Sequence, residues 1–267
     1  MIMENLAQPL EVSAVKERIH YVHNHFLRDH PIHVTVIGAG GTGTMLLKEL
    51  ARMHYTLRSM DHQGLHVMVY DHDIVSESNI GKQLFLKEDV GQNKAICIVN
   101  KLNLAWGIDW KALPSKFNCH SLAFNIVISC VDSVSARKTI YNNISDLTPR
   151  VPSNAFTKPY YWIDCGNGAD FGQVMLFTVR HTENTISSKY EVVSNIPYRG
   201  MFDDKVDAPD EPSCSLAMAL GKQDLFINSA IAQVCAQMFW QLFYKKFITY
   251  KGVYLNLATM NTRPLPL

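Results

Sequence analysis

The stretch His33-Val34-Thr35-Val36-Ile37-Gly38-Ala39-Gly40-Gly41-Thr42-Gly43 decides the fold. A short run rich in β-branched residues leads into a Gly-x-Gly-Gly-x-Gly turn. Met45, Leu46, Leu47, Leu50 and Ala51 follow at helical spacing. Strand, tight turn and helix in that order open a parallel α/β fold, and the glycines let backbone N–H groups approach a phosphate at the helix N-terminus. The turn by itself indicates a nucleotide without saying which.

Working outward, residues 65–70 read as a second strand, apolar enough to be buried on both faces. Residues 94–104 carry Ala95, Ile98, Val99 and Leu102 at helical spacing, and residues 123–130 form another buried strand that ends at Val131-Asp132. A helix is expected at 135–144. Strands are expected at 160–164 and 173–180, separated by Gly166, Gly168 and Gly172, then a helix at 224–247 and an edge strand at 253–257. Residues 4–29 read as a helical lead-in ended by Pro31. The expected organisation is an N-terminal helical extension (1–30) and one α/β domain (31–267), with 181–212 as a long loop or lid. Alternation of strands and helices in the first half implies a doubly wound, mostly parallel, Rossmann-like sheet.

Composition sets the class. The chain has 267 residues, 47% of them hydrophobic and 18% charged, so it can build a large core. Net charge is +1 with no basic stripe, so no nucleic-acid partner is expected. Residues 225–247 are apolar, but Gln233, Gln237 and Gln241 recur every fourth position, which fits an amphipathic or buried helix and no membrane span. The six cysteines include no Cys-x-x-Cys pair, and the N-terminus lacks a signal-peptide layout. Reduced thiols in a cytoplasmic protein, without structural zinc, are the expectation. The cluster His20, His23, His25, His30 and His33 lacks carboxylate or thiol company and reads as surface or subunit contact.

The chemistry begins at Asp71. It ends the second strand, where an acid commonly holds ribose hydroxyls. It follows Gly43 by more than the roughly 20 residues of a dinucleotide fold, which disfavours NAD. Behind it come Asp73-Ile74-Val75-Ser76-Glu77-Ser78-Asn79-Ile80-Gly81-Lys82-Gln83, then Asp89-Val90-Gly91-Gln92-Asn93-Lys94-Ala95, then Cys130-Val131-Asp132-Ser133-Val134-Ser135-Ala136-Arg137.

These blocks, in this order over residues 33–137, resemble the ThiF/MoeB/E1 superfamily, enzymes that adenylate the C-terminus of ubiquitin-like proteins. The Gly-Thr-Gly loop, Val-Ser-Glu-Ser-Asn-Ile-Gly, Trp110 with Pro114, and the run from Pro212 to Leu220 resemble most the ThiF family protein of the PRTRC plasmid cassette. The resemblance implies ATP and Mg²⁺ as cofactors, a homodimer, and a small ubiquitin-like partner from the same cassette. It assigns Gly38, Gly40, Gly41 and Gly43 to the loop floor, and Asp71, Asp73, Asn79 and Gln83 to ATP binding. Lys82, Lys94 and Asp132 take the catalytic roles, with Asp132 as the Mg²⁺ ligand. Adenylation suits such a set, since a carboxylate attacks the α-phosphate and the protein supplies positioning and cations.

The family's usual Arg before Gln83 is Lys82, which keeps the charge but lacks the planar fork. Arg18 and Arg28 are candidates for the Arg that relatives supply from the partner subunit. Cys214, ahead of a possible helix start, is a candidate thiol nucleophile weighed against a small buried residue. Arg137 reads as a brace for the Asp132 loop or as an ATP contact. Two rival classes remain: an NAD-dependent Rossmann oxidoreductase, and a catalytically silent nucleotide-binding scaffold.

Overall fold

The computed structural model describes residues 19–23, 26, 30–118, 124–147, 159–179 and 223–267. The lid region 181–212, Cys214, Arg18, Arg28 and most of the N-terminal extension lie outside the described residues.

The fold grows from β2 (Ile32–Ile37), whose side chains are nearly all buried. It pairs in parallel with β3 (Leu65–Tyr70) on one side and with β5 (Ile126–Ser129) on the other. Beyond β3 lies β4 (Lys111–Leu113), and beyond β5 lies β6 (Tyr161–Asn167), both parallel. The sheet continues antiparallel through β7 (Phe171–Thr178), β9 (Tyr250–Asn256) and β10 (Asn261–Pro266), giving the order β10-β9-β7-β6-β5-β2-β3-β4. A separate two-stranded sheet joins β1 (His20–Tyr21) to β8 (Phe247–Ile248).

Among the described residues, four α-helices flank the large sheet: α1 (Gly41–Ser59), α2 (Lys94–Trp106), α3 (Val134–Leu147) and α4 (Ile227–Tyr244). Leu46, Leu50, Ile98, Leu102, Ile231 and Phe239 of α1, α2 and α4 share one core on one face. On the other face Ile140 and Ile144 of α3 join Ile37, Tyr70, Phe117 and Trp162. The chain runs from β2 out to β3 and β4, then returns to β5 on the opposite side of β2. That reversal opens a crevice at the carboxyl ends of β2 and β5, the position where doubly wound sheets bind ligands.

Several expectations are corrected. Residues 253–257 are not an edge, because β10 covers them. Pro264 and Pro266 disguised β10, and both are tolerated because an outermost strand needs hydrogen bonds on one side only. β6 runs three residues past Asp164, through Cys165 and Gly166 to Asn167. His20 and Tyr21 form a strand instead of continuing a helix. His20 is fully buried, sharing a 2.9 Å hydrogen bond between its Nε2 and the Tyr161 hydroxyl, so that histidine is core and not surface. No helix among the described residues is long and apolar enough to cross a membrane.

Candidate functional site

The crevice holds a cavity of about 470 Å³ at the carboxyl ends of β2, β3, β5 and β6. Its floor is the glycine turn. Gly38 sits at φ 95°, and a Cβ there would lie 2.7 Å from the Cys130 carbonyl oxygen. A Cβ on Gly43 would lie 1.9 Å from the Gly38 carbonyl oxygen, so Gly43 closes the turn onto α1 and does not itself line the cavity. Gly40 and Gly41 do line it; Gly40 faces open space, while Gly41 lies against the side chain of Asn228.

The β3 end carries the charged wall. Asp71 is buried; its Oδ2 accepts the Ala39 N–H at 2.6 Å and its Oδ1 the Asp73 N–H at 2.8 Å. Burial pushes its carboxyl up, and those two N–H groups and Lys94 oppose the shift. Asp71 thus ties the glycine turn to the start of the next loop. Lys94 opens α2, buried, with Nζ 3.0 Å from Asp73 Oδ2. Asn93 caps the helix by accepting the Ile96 N–H, and its Nδ2 donates to the Asp71 and Asp73 carbonyls. Lys82 and Gln83 also line the cavity, and the buried Oε1 of Gln83 has no hydrogen-bond partner among the described residues. Asn79 lies elsewhere: its Oδ1 accepts the Ser76 N–H within a short turn, outside the cavity lining.

The β5 end carries Asp132, exposed and facing the cavity. Its loop is held from beneath. Arg137 donates at 2.7 Å to the Val131 carbonyl and pairs through Nε with both oxygens of Asp164 at 3.1 and 3.2 Å. Asp164 is fully buried and also accepts from Ser129 Oγ at 2.5 Å, which in turn accepts from Trp162 Nε1. Burial drives the Asp164 carboxyl up, while Arg137 and Ser129 hold it down. Arg137 is therefore the brace of the Asp132 loop. The neighbouring Cys130 forms part of the wall, its thiol held protonated by the hydrogen bond with Cys165 and by burial. Cys97, Cys165 and Cys235 are buried, whereas Cys130 is half-buried at the cavity wall.

Ile37, Tyr70, Phe117, Val131 and Ile140 form an apolar slot in the same cavity lining. At the β6 end stand the amides Asn167, Gln223 and Asn228. Sequence reasoning missed both features, along with Asp164. The one sequence signal for Asp164 is an acid inside the apolar run Tyr-Trp-Ile-Asp-Cys. The cavity brings together Gly38, Gly40, Gly41, Asp71, Asp73, Lys82, Gln83, Lys94 and Asp132. Cys214 lies outside the described residues.

The doubly wound sheet thus carries a glycine turn, a strand-end acid and two cavity-lining lysines at one site. The model of the ThiF family matches residues 26–265. The chain belongs to the ThiF family. This ThiF-family chain is 33% identical over 113 residues to the Nedd8-activating enzyme E1 catalytic subunit of Drosophila melanogaster, covering 40% of this chain and 23% of that one. It is 31% identical over 159 residues to SUMO-activating enzyme subunit uba-2 of Caenorhabditis elegans, covering 56% and 24%. It therefore spans about a quarter of the length of these relatives. Its fold is similar to the crystal structure of E. coli MccB with ATP, with a TM-score of 0.55, 15% identity, and coverage of 91% of this chain and 65% of that one.

Proposed function

We propose that this ThiF-family protein binds ATP with Mg²⁺ and adenylates the C-terminal carboxylate of a small ubiquitin-like protein. The observation that carries the reading is one cavity that joins the Asp71-anchored glycine turn to Lys82, Lys94 and Asp132. The Nedd8- and SUMO-activating relatives support it, as does the fold shared with MccB.

The parts divide the work. The apolar slot takes the adenine, and Asp71 and Asp73 face the ribose. The turn N–H groups, with Lys82 and Lys94, offset charge on the phosphates. A substrate carboxylate oxygen bonds to the α-phosphorus as the bond from that phosphorus to the bridging oxygen breaks and pyrophosphate leaves. No protein nucleophile takes part, so the rate rests on positioning and cations. Mg²⁺ prefers oxygen ligands and keeps several waters, and when bound it neutralises phosphate charge. The exposed carboxylate of Asp132 suits that role. Asp71, His72 and Asp73 also offer ligand atoms within 4.8 Å of one another, but Asp71 and Asp73 already accept from backbone N–H groups and Lys94. In this reading the enzyme is a cytoplasmic homodimer, and the partner protein comes from the same plasmid cassette.

Titration calorimetry with ATP–Mg²⁺ and NAD, followed by partner-dependent ATP–pyrophosphate exchange, tests the proposal. Tighter binding of ATP than of NAD, with exchange, is the expected result. Tighter NAD binding favours the oxidoreductase and rejects adenylation; ATP binding without exchange favours the silent scaffold.

A further inference from the structure

The amino ends of β2 and β3, at the opposite end of the strands from the cavity, hold a pair of histidines. His33 and His66 are the second residues of their strands and are register partners in the parallel ladder. Registered residues project from the same face of a sheet, on strands about 4.8 Å apart. The two rings meet with centroids 5.1 Å apart and planes at 80°. Neither residue lines the cavity. In the sequence His33 belongs to a run of histidines without carboxylate or thiol company; the fold gives it a companion from the neighbouring strand.

Edge-to-face packing of rings permits that spacing. Metal ligation requires it. A tetrahedral ion about 2.0–2.1 Å from one nitrogen of each ring sets the two centroids roughly 5 Å apart. The backbone beneath the pair is fixed, since the His33 N–H donates at 2.9 Å to Oδ1 of the buried Asn125 and both residues sit within paired strands. A site on strands is held more precisely than one on loops. His33 is half-buried and His66 exposed, so an ion reaches the pair from solvent. Burial, followed by the nearby His66 and His30, keeps the His33 ring in the neutral form that ligates metals. Among the described residues, neither histidine belongs to a cluster of three ligand groups, so the pair offers two nitrogens and leaves the other positions to water. Two imidazoles without a carboxylate suit nickel, copper or zinc, whereas Mg²⁺ and Ca²⁺ take oxygen ligands.

We propose that His33 and His66 chelate one divalent transition-metal ion of the nickel, copper and zinc group, which clamps β2 to β3 at their amino ends. With two protein ligands this is an open, exchangeable site, unlike a closed four-ligand structural centre. It stands apart from the adenylation reading and does not depend on it.

Titration calorimetry of the full chain with NiCl₂ tests the site. One Ni²⁺ per chain is expected, with a Kd below about 0.1 mM. His66→Ala is expected to weaken binding at least about tenfold, because losing a ligand costs no less than a change in the outer shell. His66 is exposed, so its removal leaves the core intact, and the wild-type titration needs no variant to fold. A large excess of MgCl₂ is expected to leave Ni²⁺ in place; displacement would assign the ion to carboxylates and overturn the proposal. Pulsed EPR of the Cu²⁺-loaded protein is expected to show two imidazoles in wild type and one in His66→Ala. No Ni²⁺ binding in wild type, or equal affinity in a folded His66→Ala protein, would leave the pair as a ring contact only and reject the site.

Discussion

Lys94 illustrates what the residue scale contributes. A cation at the first position of a helix opposes the helix dipole, and burial adds a desolvation cost. Asp73 offsets both across 3.0 Å, and the other ammonium hydrogens remain to face an anion in the cavity. Lys94→Ala and Asp132→Ala are each expected to lower pyrophosphate exchange at least about tenfold, a barrier change of roughly 1.4 kcal/mol, with folding checked by circular dichroism. Lys82→Arg should preserve or raise exchange, because a guanidinium adds a two-pronged phosphate contact; a large loss would mean the pocket is built around the point charge. Asp164→Asn acts differently, since it strands the Arg137 charge against a buried amide. The expected outcome is a loss of about 3–5 kcal/mol in urea denaturation, with exchange falling further as the Asp132 loop loosens.

At the element scale, the strand–turn–helix unit from β2 to α1 separates stability from binding. Gly43 packs onto the Gly38 carbonyl, so a methyl at Gly43 forces the backbone apart. Gly40 has nothing within 4 Å of a built Cβ and lines the cavity. Gly43→Ala should therefore lower the melting temperature sharply and abolish ATP binding. Gly40→Ala should stay within about 0.5 kcal/mol of wild-type stability while weakening ATP binding, because its methyl occupies ligand space. Thermal melts beside calorimetry read the two effects; equal destabilisation by both variants would contradict the assigned geometry. The same unit was legible in sequence because strand period, glycine turn and helix period are all local signals. β10 was not legible: proline argues against a strand everywhere except at an edge, and the edge is a property of the whole sheet.

At the scale of the whole molecule, a pH dependence of stability is expected from the buried His20 and the half-buried His33. Burial lowers His20 from the ordinary 6.5 to about 4, and burial followed by the nearby His66 and His30 lowers His33 to about 4. Both groups stay neutral in the folded chain while the unfolded chain takes up protons below pH 6.5. Their contribution is present above pH 6.5 and is lost as pH falls towards 4. His20 alone accounts for on the order of 3 kcal/mol across that window; the partly exposed His33 adds less through solvent screening. Urea denaturation at a series of pH values should show this decline, and His20→Gln should flatten it. An unchanged slope in that variant would remove His20 from the account.

The sequence by itself determined the glycine turn, the strand-end acid, the order of the motif blocks and hence the family, because each is written in residues close along the chain. Asp71, Lys82, Lys94 and Asp132 were readable in the same way, as members of local blocks. Only the tertiary structure decided that these blocks share one cavity and that Asn79 serves its own turn. It alone set Arg137 against a buried Asp164 across 27 positions, and Asn228 against Thr42 across 186. Such pairings depend on which strands become neighbours and which helix covers them. That is settled by the reversal of strand order at β2 and by the packing of α4 on α1, which no local pattern records.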